Sequence, residues 1–452
     1  MKVAIVGAGE IGTFLAGRLT EEQIDVTVID RDVQVLSRLQ NTVDVAGVRG
    51  NATSLKDLQA AEIGNADLFI ATTSQDETNL ISCLLATEMG IPHKIAVTRY
   101  LGVRGRDTPL DPQSMGIDLM VNSSEAVNRE ILENLETTGA SEVARFASGQ
   151  IILIGYQAYA NGPLCGHTVS DICNYKSGHR YFTVAGIVRG QQLLEHNGDT
   201  MLEPGDYLYF LSTAAHVHHL SATLSMETIK TRTAVIFGDN FQSQMLANSL
   251  LQRHFHVTML AENEEREALL RNQFAGMSGL HVETGSGIEV RLLRRVKVPQ
   301  TSVFLAVHRD DTANLTACLL AKSLGVGKTI ATIKRNDLLP LAYRSGVDVN
   351  VAPRLATAKA IQKLVHENRV IDYRAVSRTN LEVVEVKTAK KAKALKAPLG
   401  QLKLPKGVRV GAIANAEGAF LPEPDYQVKA GDKVVALTLP EHLLEVEAMF
   451  TE

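Results

Sequence analysis

Residues 2–12 read Lys2-Val-Ala-Ile-Val-Gly-Ala-Gly-Glu-Ile-Gly12, an apolar segment that runs directly into a glycine-rich turn. The pattern Gly-x-Gly-x-x-Gly between a strand and a helix is typical of dinucleotide-binding βαβ units. Gly7 permits a tight turn, Gly9 lets the backbone approach a pyrophosphate, and Gly12 lets the helix pack closely on the strand. The N–H groups that start the helix point at the phosphate charge. The stretch predicts a parallel-sheet fold with a nucleotide at its first turn; a glycine turn kept for packing alone is the alternative.

Further candidate residues follow the predicted strands, at the sheet edge where ligands bind in open parallel sheets. Asp30 closes the second strand, where a carboxylate accepts hydrogen bonds from a ribose diol and repels a 2′-phosphate, which favours NAD over NADP. Asn51 and Ala52 are expected at the adenine end. Thr72–Ser74 fits ligand contacts or a helix N-cap, and Arg99 fits a phosphate ligand or a surface arginine. The candidate cofactor-binding residues are Gly7, Ala8, Gly9, Glu10, Ile11, Gly12, Asp30, Arg31, Asn51, Ala52, Thr72, Thr73, Ser74 and Arg99.

The chain repeats itself with a period of roughly 230 residues. Ala4-Ile-Val-Gly7 corresponds to Val235-Ile-Phe-Gly238, and Cys83-Leu-Leu-Ala86 corresponds to Cys318-Leu-Leu-Ala321. Because both cysteines occupy matching helix positions, we expect them in the core. The repeat predicts two homologous halves.

Each half begins with Val- and Ile-rich strands that alternate with helical patterns, which favours a parallel sheet covered by helices on both faces. Each half ends with short strands and turn residues, typical of a small α+β domain. The joins near 124–142 and 349–370 have helical, charged patterns that predict rigid coupling. The predicted fold class is α/β, with two Rossmann-like doubly wound parallel-sheet domains, each followed by a small α+β domain. The predicted boundaries are 1–123, 143–227, 232–348 and 368–452.

The second copy of the glycine turn has lost its motif. Gly238-Asp-Asn-Phe-Gln-Ser243 keeps only the first glycine, and Ala261 stands where the first half has Asp30. Asp239 brings negative charge toward a phosphate. We therefore expect the second half to bind NAD poorly or to bind another ligand, so that one half senses and the other assembles.

Composition restricts the class of protein. A chain of 452 residues exceeds the roughly 250–300 residues of a single core. The net charge is −4 and aromatic residues make up 5%, so nucleic acid is not an expected partner. No run of apolar residues is long enough for a transmembrane helix, and residues 1–12 do not read as a signal peptide. The four cysteines lack CxxC spacing, which indicates a reducing cytoplasm.

No catalytic constellation is visible in the sequence after residue 142. His216, His218 and His219 lack the partner spacing of a metal site, and we interpret them as a solvated turn into a helix. We interpret the lysine run at 387–396 as a solvated edge, with contact to a membrane surface, a nucleotide or an acidic partner as alternatives. We therefore predict no catalytic residues, no metal and no enzyme activity. An NAD-dependent oxidoreductase is the alternative function.

Over essentially its whole length the chain resembles the regulator-of-potassium-conductance (RCK, also KTN) family. The resemblance rests on residues 2–12, on Val28-Ile-Asp30, on Ala71-Thr-Thr-Ser-Gln-Asp-Glu-Thr-Asn79 and on the duplicated order of large and small domains. It implies that Gly7–Ile11 hold a pyrophosphate, that Asp30 holds the ribose, and that Thr73 and Arg99 contact other parts of the ligand.

The resemblance also implies an assembly. Four duplicated chains are expected to form a homotetrameric ring of eight modules below a potassium-translocating membrane subunit of the TrkH/TrkG type. The ring is expected to bind NAD(H), with ATP or ADP as competing ligands, and to gate the pore by changing shape. The expected location is cytoplasmic, peripheral on the inner face of the cell membrane.

Overall fold

The computed structural model describes residues 1–98, 113–135, 140–173, 180–190, 192–224, 231–365, 372–375, 381–405 and 407–451. Four β-sheets follow one another along the chain, with six, five, six and five strands. Within the described ranges, no helix is both long and apolar enough to cross a membrane.

The first large domain contains a six-stranded parallel sheet in the order β3-β2-β1-β4-β5-β6. Its strands are β1 (Lys2–Val6), β2 (Asp25–Asp30), β3 (Ala46–Arg49), β4 (Leu68–Ala71), β5 (His93–Thr98) and β6 (Leu119–Asn122). Its helices are α1 (Glu10–Glu21), α2 (Val33–Gln40), α3 (Leu55–Ala60), α4 (Asp76–Glu88) and α5 (Ser123–Glu133). All four residues of β4 are buried because helices cover both faces of the sheet. The strand order reverses between β1 and β4, which opens a crevice at their carboxyl ends.

The first small domain follows the first large domain. It contains the strands β7 (Glu142–Phe146), β8 (Ile151–Gln157), β9 (Phe182–Arg189), β10 (Gln192–Leu194) and β11 (Tyr207–Thr213), with α6 (Val169–Ile172) and α7 (Val217–Thr223).

The second large domain contains the strands β12 (Thr233–Phe237), β13 (His256–Ala261), β14 (Leu280–Thr284), β15 (Val303–Ala306), β16 (Lys328–Thr332) and β17 (Val349–Val351). They repeat the strand order of the first large domain as β14-β13-β12-β15-β16-β17. The helices of the second large domain are α8 (Phe241–Gln252), α9 (Glu264–Gln273), α10 (Val290–Arg295), α11 (Asp311–Ser323), α12 (Leu339–Arg344) and α13 (Pro353–Val365).

One predicted join is wrong at its start. The sequence pattern placed a helix from 349 onward, whereas Val349–Val351 pairs with β16 as a sixth parallel strand and α13 begins at Pro353. A strand of three residues is too short to show the alternation of apolar and polar residues that identifies a strand. The helical pattern that follows it therefore predicted a helix over the strand as well.

The small domains contain antiparallel five-stranded sheets in the orders β10-β9-β11-β8-β7 and β18-β19-β22-β20-β21. The second contains β18 (Asp372–Ala375), β19 (Glu382–Lys387), β20 (Arg409–Asn415), β21 (Gly418–Phe420) and β22 (Lys433–Thr438), with α14 (Leu443–Thr451). The predicted fold class, with two parallel-sheet domains each followed by a small α+β domain, is confirmed. The two small sheets share one core, in which Leu153 and Leu211 pack with Val383 and Leu437.

The two halves exchange their connecting helices. Helix α5 of the first half packs into the core of the second large domain, where Val127 and Ile131 join Leu246. Helix α13 of the second half packs into the core of the first large domain, where Ile361 joins Leu15. These buried apolar faces hold the halves together. Either half's large domain is therefore completed by a helix from the other half.

Candidate functional site

The turn between β1 and α1 contains two glycines that the fold requires and one that it does not require. Gly7 has φ +97°, and a Cβ placed there would lie 2.9 Å from the backbone nitrogen of Thr73. A Cβ on Gly12 would lie 1.9 Å from the carbonyl oxygen of Gly7. A Cβ on Gly9 would meet no atom within 4 Å. Packing therefore accounts for Gly7 and Gly12, whereas Gly9 faces open space at the mouth of the turn.

Asp30 ends β2 and holds the glycine turn from the side. Its Oδ2 accepts a hydrogen bond of 2.7 Å from the backbone N–H of Ala8, and its Oδ1 accepts one of 2.9 Å from the N–H of Asp32. Asp32 in turn caps α2 by accepting from the N–H of Gln34 at 2.8 Å. A carboxylate has about four lone-pair sites. Because Asp30 is half-buried, it keeps acceptor capacity toward a ligand.

The side chains of the two threonines after β4 form hydrogen bonds to neighbouring parts of the protein. Thr72 Oγ1 donates to the carbonyl oxygens of Val6 and Gly7, both at 3.1 Å. Thr73 Oγ1 donates to Asn79 Oδ1 at 2.7 Å, and the same Oδ1 accepts from the Thr73 N–H at 2.9 Å. These bonds fix the crevice wall from within. The N-cap position of α4 belongs to Gln75, so the capping interpretation of Thr72–Ser74 is wrong, and their contact with a ligand stays a prediction.

A cavity of about 320 Å³ lies over the carboxyl ends of the strands in the first half. This volume is at the lower end of the usual range for small-ligand sites. Nine of the predicted residues line it: Gly7, Gly9, Asp30, Arg31, Asn51, Ala52, Thr72, Thr73 and Ser74. The sequence analysis missed several other lining residues, namely Asp32, Val35, Gly50, Gln75 and Thr78. Asp32 is a residue type preferred at helix N-caps, so it could have indicated that the start of α2 borders the cavity.

The remaining predicted residues lie around this cavity or outside the described chain. Ala8 and Glu10 line a second cavity of about 530 Å³, which also includes Gly9. Ile11 is half-buried against the core, and Gly12 is buried beneath the turn. Arg99 lies outside the described residues. The structure thus brings together the turn, the acid of β2 and the loops after β3 and β4.

The equivalent turn of the second half is held by a different set of side-chain contacts. Asp239 is buried, and its Oδ2 accepts from the backbone N–H of Glu262 at 3.1 Å. Arg266 donates to the Asp239 carbonyl oxygen at 2.8 Å. In the first half the acid at the strand end binds the turn, whereas here the acid in the turn binds the strand end. Next to it, the rings of Phe237 and His308 stack with centroids 4.8 Å apart.

The buried cysteines and the histidine cluster have structural roles. Cys83 and Cys318 are fully buried, which confirms their predicted core role. Burial raises the pKa of the Cys83 thiol to about 12 and raises that of Cys318 as well, so neither forms a thiolate near neutral pH. Desolvation, and then His218 and His216, lower the pKa of His219. The His219 ring stacks on Tyr181 with centroids 3.7 Å apart, at the start of the predicted helix, here α7.

Comparison with known families accounts for almost all of this architecture. The TrkA-N domain matches residues 3–102 and again 234–353, and the TrkA-C domain matches residues 153–225 and again 383–451. The chain belongs to the TrkA family. The resemblance found in the sequence is therefore confirmed, including the tandem duplication of both domains.

TrkA relatives match along their whole length. The chain is 27% identical to "Trk system potassium uptake protein TrkA" of Halomonas elongata, covering 100% of this chain and 98% of the relative. It is also 27% identical to the protein of the same name from Vibrio alginolyticus, with the same coverage. A "Trk system potassium uptake protein TrkA homolog" of Archaeoglobus fulgidus is 27% identical, with 100% coverage of both chains.

Solved structures agree with this TrkA architecture at the level of the fold. The GsuK RCK domain matches with a TM-score of 0.56 at 16% identity, covering 99% of this chain and 94% of that one. A structure described as the GsuK channel bound to NAD also matches with a TM-score of 0.56 at 16% identity, covering 99% of this chain and 78% of that one. At this identity the likeness shows the shared fold.

Proposed function

We propose that the chain is a nucleotide-sensing regulatory subunit that binds NAD(H) in its first half and gates a potassium-translocating membrane subunit of the TrkH/TrkG type. ATP and ADP are proposed as competing ligands at the same turn. The protein acts without catalysis, as a cytoplasmic homotetrameric ring on the inner face of the cell membrane. Its units are the four domains bounded at 1–123, 143–227, 232–348 and 368–452. The names of the potassium uptake relatives support the transport role.

The open space at Gly9 carries the nucleotide part of the proposal. A pyrophosphate needs a close approach to the backbone at the start of α1, where unbonded N–H groups and the helix dipole favour negative charge. Gly9 leaves that approach free. Asp30 lies beside it at the end of β2, with its carboxylate on the cavity wall. The pair supplies one contact for the phosphates and one for the ribose, the two parts that all NAD(H), ATP and ADP ligands share.

The second half is proposed to bind no nucleotide at its turn. Asp239 adds a negative charge next to the turn, and its carboxylate accepts a hydrogen bond from the Glu262 N–H after β13 and lies 3.6 Å from Arg266 Nε. Phe241 stands at the start of α8, in the position that Glu10 occupies in α1. The second half instead contributes α13 to the first large domain.

The exchanged helices offer a route from nucleotide to ring shape. Helix α1 begins at the proposed phosphate site and packs against α13 of the other half, which crosses α5. Ser123 and Thr357 meet at that crossing, with their hydroxyl oxygens 2.7 Å apart. A ligand that binds better to one arrangement of the halves shifts the ring toward that arrangement. The difference in nucleotide affinity between the two arrangements sets how far the equilibrium shifts, and this shift gates the membrane subunit.

Asp30→Asn tests the ribose contact. The amide keeps one oxygen for the Ala8 N–H but loses the charge and an acceptor, so NADH affinity is expected to fall by about 10-fold or more. The preference for NADH over NADPH is expected to narrow, because the repulsion of a 2′-phosphate is removed. Isothermal titration calorimetry measures both affinities.

Asp25→Asn is the matched control, since Asp25 is an exposed acid on the same strand at the opposite end of the sheet. It is expected to bind NADH as the wild type does. Unchanged NADH affinity in Asp30→Asn would remove the ribose role from this residue.

A further inference from the structure

We infer that Arg354, at the start of α13 in the second half, binds the phosphates of the nucleotide held at the Gly9 turn of the first half. This inference rests on the proposed nucleotide site and adds a residue to it from the other half of the chain. The nucleotide then contacts both halves directly, so its binding depends on how the halves are arranged.

The position of Arg354 carries the inference. The 530 Å³ cavity is lined by the turn residues Ala8, Gly9 and Glu10, by Thr13 of α1, by Arg38 of α2 and by Arg354. This cavity shares Gly9 with the 320 Å³ cavity next to Asp30. A ligand whose ribose lies at Asp30 and whose phosphates lie at Gly9 therefore points its phosphate end toward Arg354.

The state of the Arg354 side chain also points to a ligand. Its Nε is buried and forms no hydrogen bond within the described chain. Burial lowers the pKa of the guanidinium, and the opposing influence comes first from Glu10. Arg354 is also the second residue of α13, where the positive end of the helix dipole disfavours a cation. Arg354 is half-buried, so part of its guanidinium stays accessible from the cavity, and a planar guanidinium is well suited to phosphate oxygens.

The comparison of the two halves strengthens the inference. In the paired strands, Val121 of β6 and Val351 of β17 hold the same register position. Three residues later, Ser124 of α5 is therefore the equivalent of Arg354. Ser124 meets the second turn through its carbonyl oxygen, which accepts from Gln242 at 3.2 Å. The half that keeps the glycine motif receives an arginine from its neighbour, and the half that has lost the motif receives a serine.

The test compares ADP with adenosine, which lacks phosphates, in the full chain. Arg354→Gln is expected to weaken ADP and NADH binding by about 10- to 100-fold, the change expected for the loss of a charge-assisted hydrogen bond. Adenosine affinity, measured by ligand-observed NMR, is expected to stay the same. Arg354→Lys is expected to recover part of the ADP affinity, because it keeps the charge without the planar fork.

Arg344→Gln is the matched control, since Arg344 is an exposed arginine on α12 of the same half, and it is expected to leave every affinity unchanged. ADP binding by Arg354→Gln equal to that of the wild type overturns the inference and leaves the nucleotide site in place. An equal loss of ADP and adenosine affinity also overturns it, because Arg354 would then only shape the turn. Absence of ADP and NADH binding in the wild type overturns the proposed function itself.

Discussion

Gly9→Val is expected to reduce NADH affinity by more than about 100-fold while leaving the protein folded. Gly9 has φ −68° and ψ −171°, an extended conformation that valine adopts without strain. A Cβ at this position would have no other protein atom within 4 Å. The fold therefore tolerates the change, whereas a pyrophosphate could no longer approach the backbone. Calorimetry gives the affinity, and thermal melting of the unliganded chain gives the stability.

Gly12→Ala is the contrasting variant in the same turn. Its Cβ would lie 1.9 Å from the Gly7 carbonyl oxygen, so the turn or the helix must shift and the melting temperature is expected to fall. Comparing the two variants separates loss of binding by blockage from loss of binding by misfolding. Retained NADH affinity in Gly9→Val would place the nucleotide elsewhere on the chain.

Lys328 is expected to make the stability of the paired halves depend on pH. This lysine begins β16, is fully buried, and its Nζ donates to the carbonyl oxygen of Asn134 at the end of α5. Burial lowers its pKa from 10.5 to about 7 despite the opposing effect of Asp348. Between these two pKa values the unfolded chain binds a proton that the folded chain does not. The free energy of unfolding therefore rises with pH across that window.

The expected size is roughly 4 kcal/mol between about pH 7 and pH 10, since each pKa unit corresponds to about 1.4 kcal/mol. Lys328→Met removes the ionisable group, so the wild type is expected to gain stability relative to this variant as the pH rises. Lys328→Arg keeps a charge at every pH and is expected to remain the least stable of the three. Melting temperatures of the unliganded proteins across this range provide the measurement. A constant difference between the wild type and Lys328→Met would contradict the shifted pKa.

The sequence predicted the parts of the structure that depend on local patterns. The Gly7–Gly12 turn, the acid at Asp30 and the loops after β3 and β4 follow from residue types at fixed offsets from strands, and the structure places them around one crevice. The duplicated segments around Cys83 and Cys318 predicted two homologous halves, and both cysteines lie in equivalent cores. These features can be predicted from the sequence because they depend only on residues that are close to one another along the chain.

The features that the sequence did not predict depend on contacts between distant segments. Arg354 reaches the first turn, and Lys328 reaches the end of α5, only because the halves exchange helices. No pattern near either residue signals that exchange. The hydrogen bonds that the Thr72 and Thr73 hydroxyls form within the loop were also not predicted, and their contact with a ligand stays a prediction. An internal hydrogen bond of this kind cannot be distinguished from a ligand contact by residue type alone.

Calorimetric titration of NADH into the purified chain tests the central claim, that one half senses a nucleotide and the other half supports it. The account predicts one site per chain, because the first turn leaves space at Gly9, whereas the second turn lacks the glycine motif and carries Asp239, which is bonded to Glu262 and Arg266. Two sites per chain would contradict it, because the second half would then hold a nucleotide without the glycines of the first.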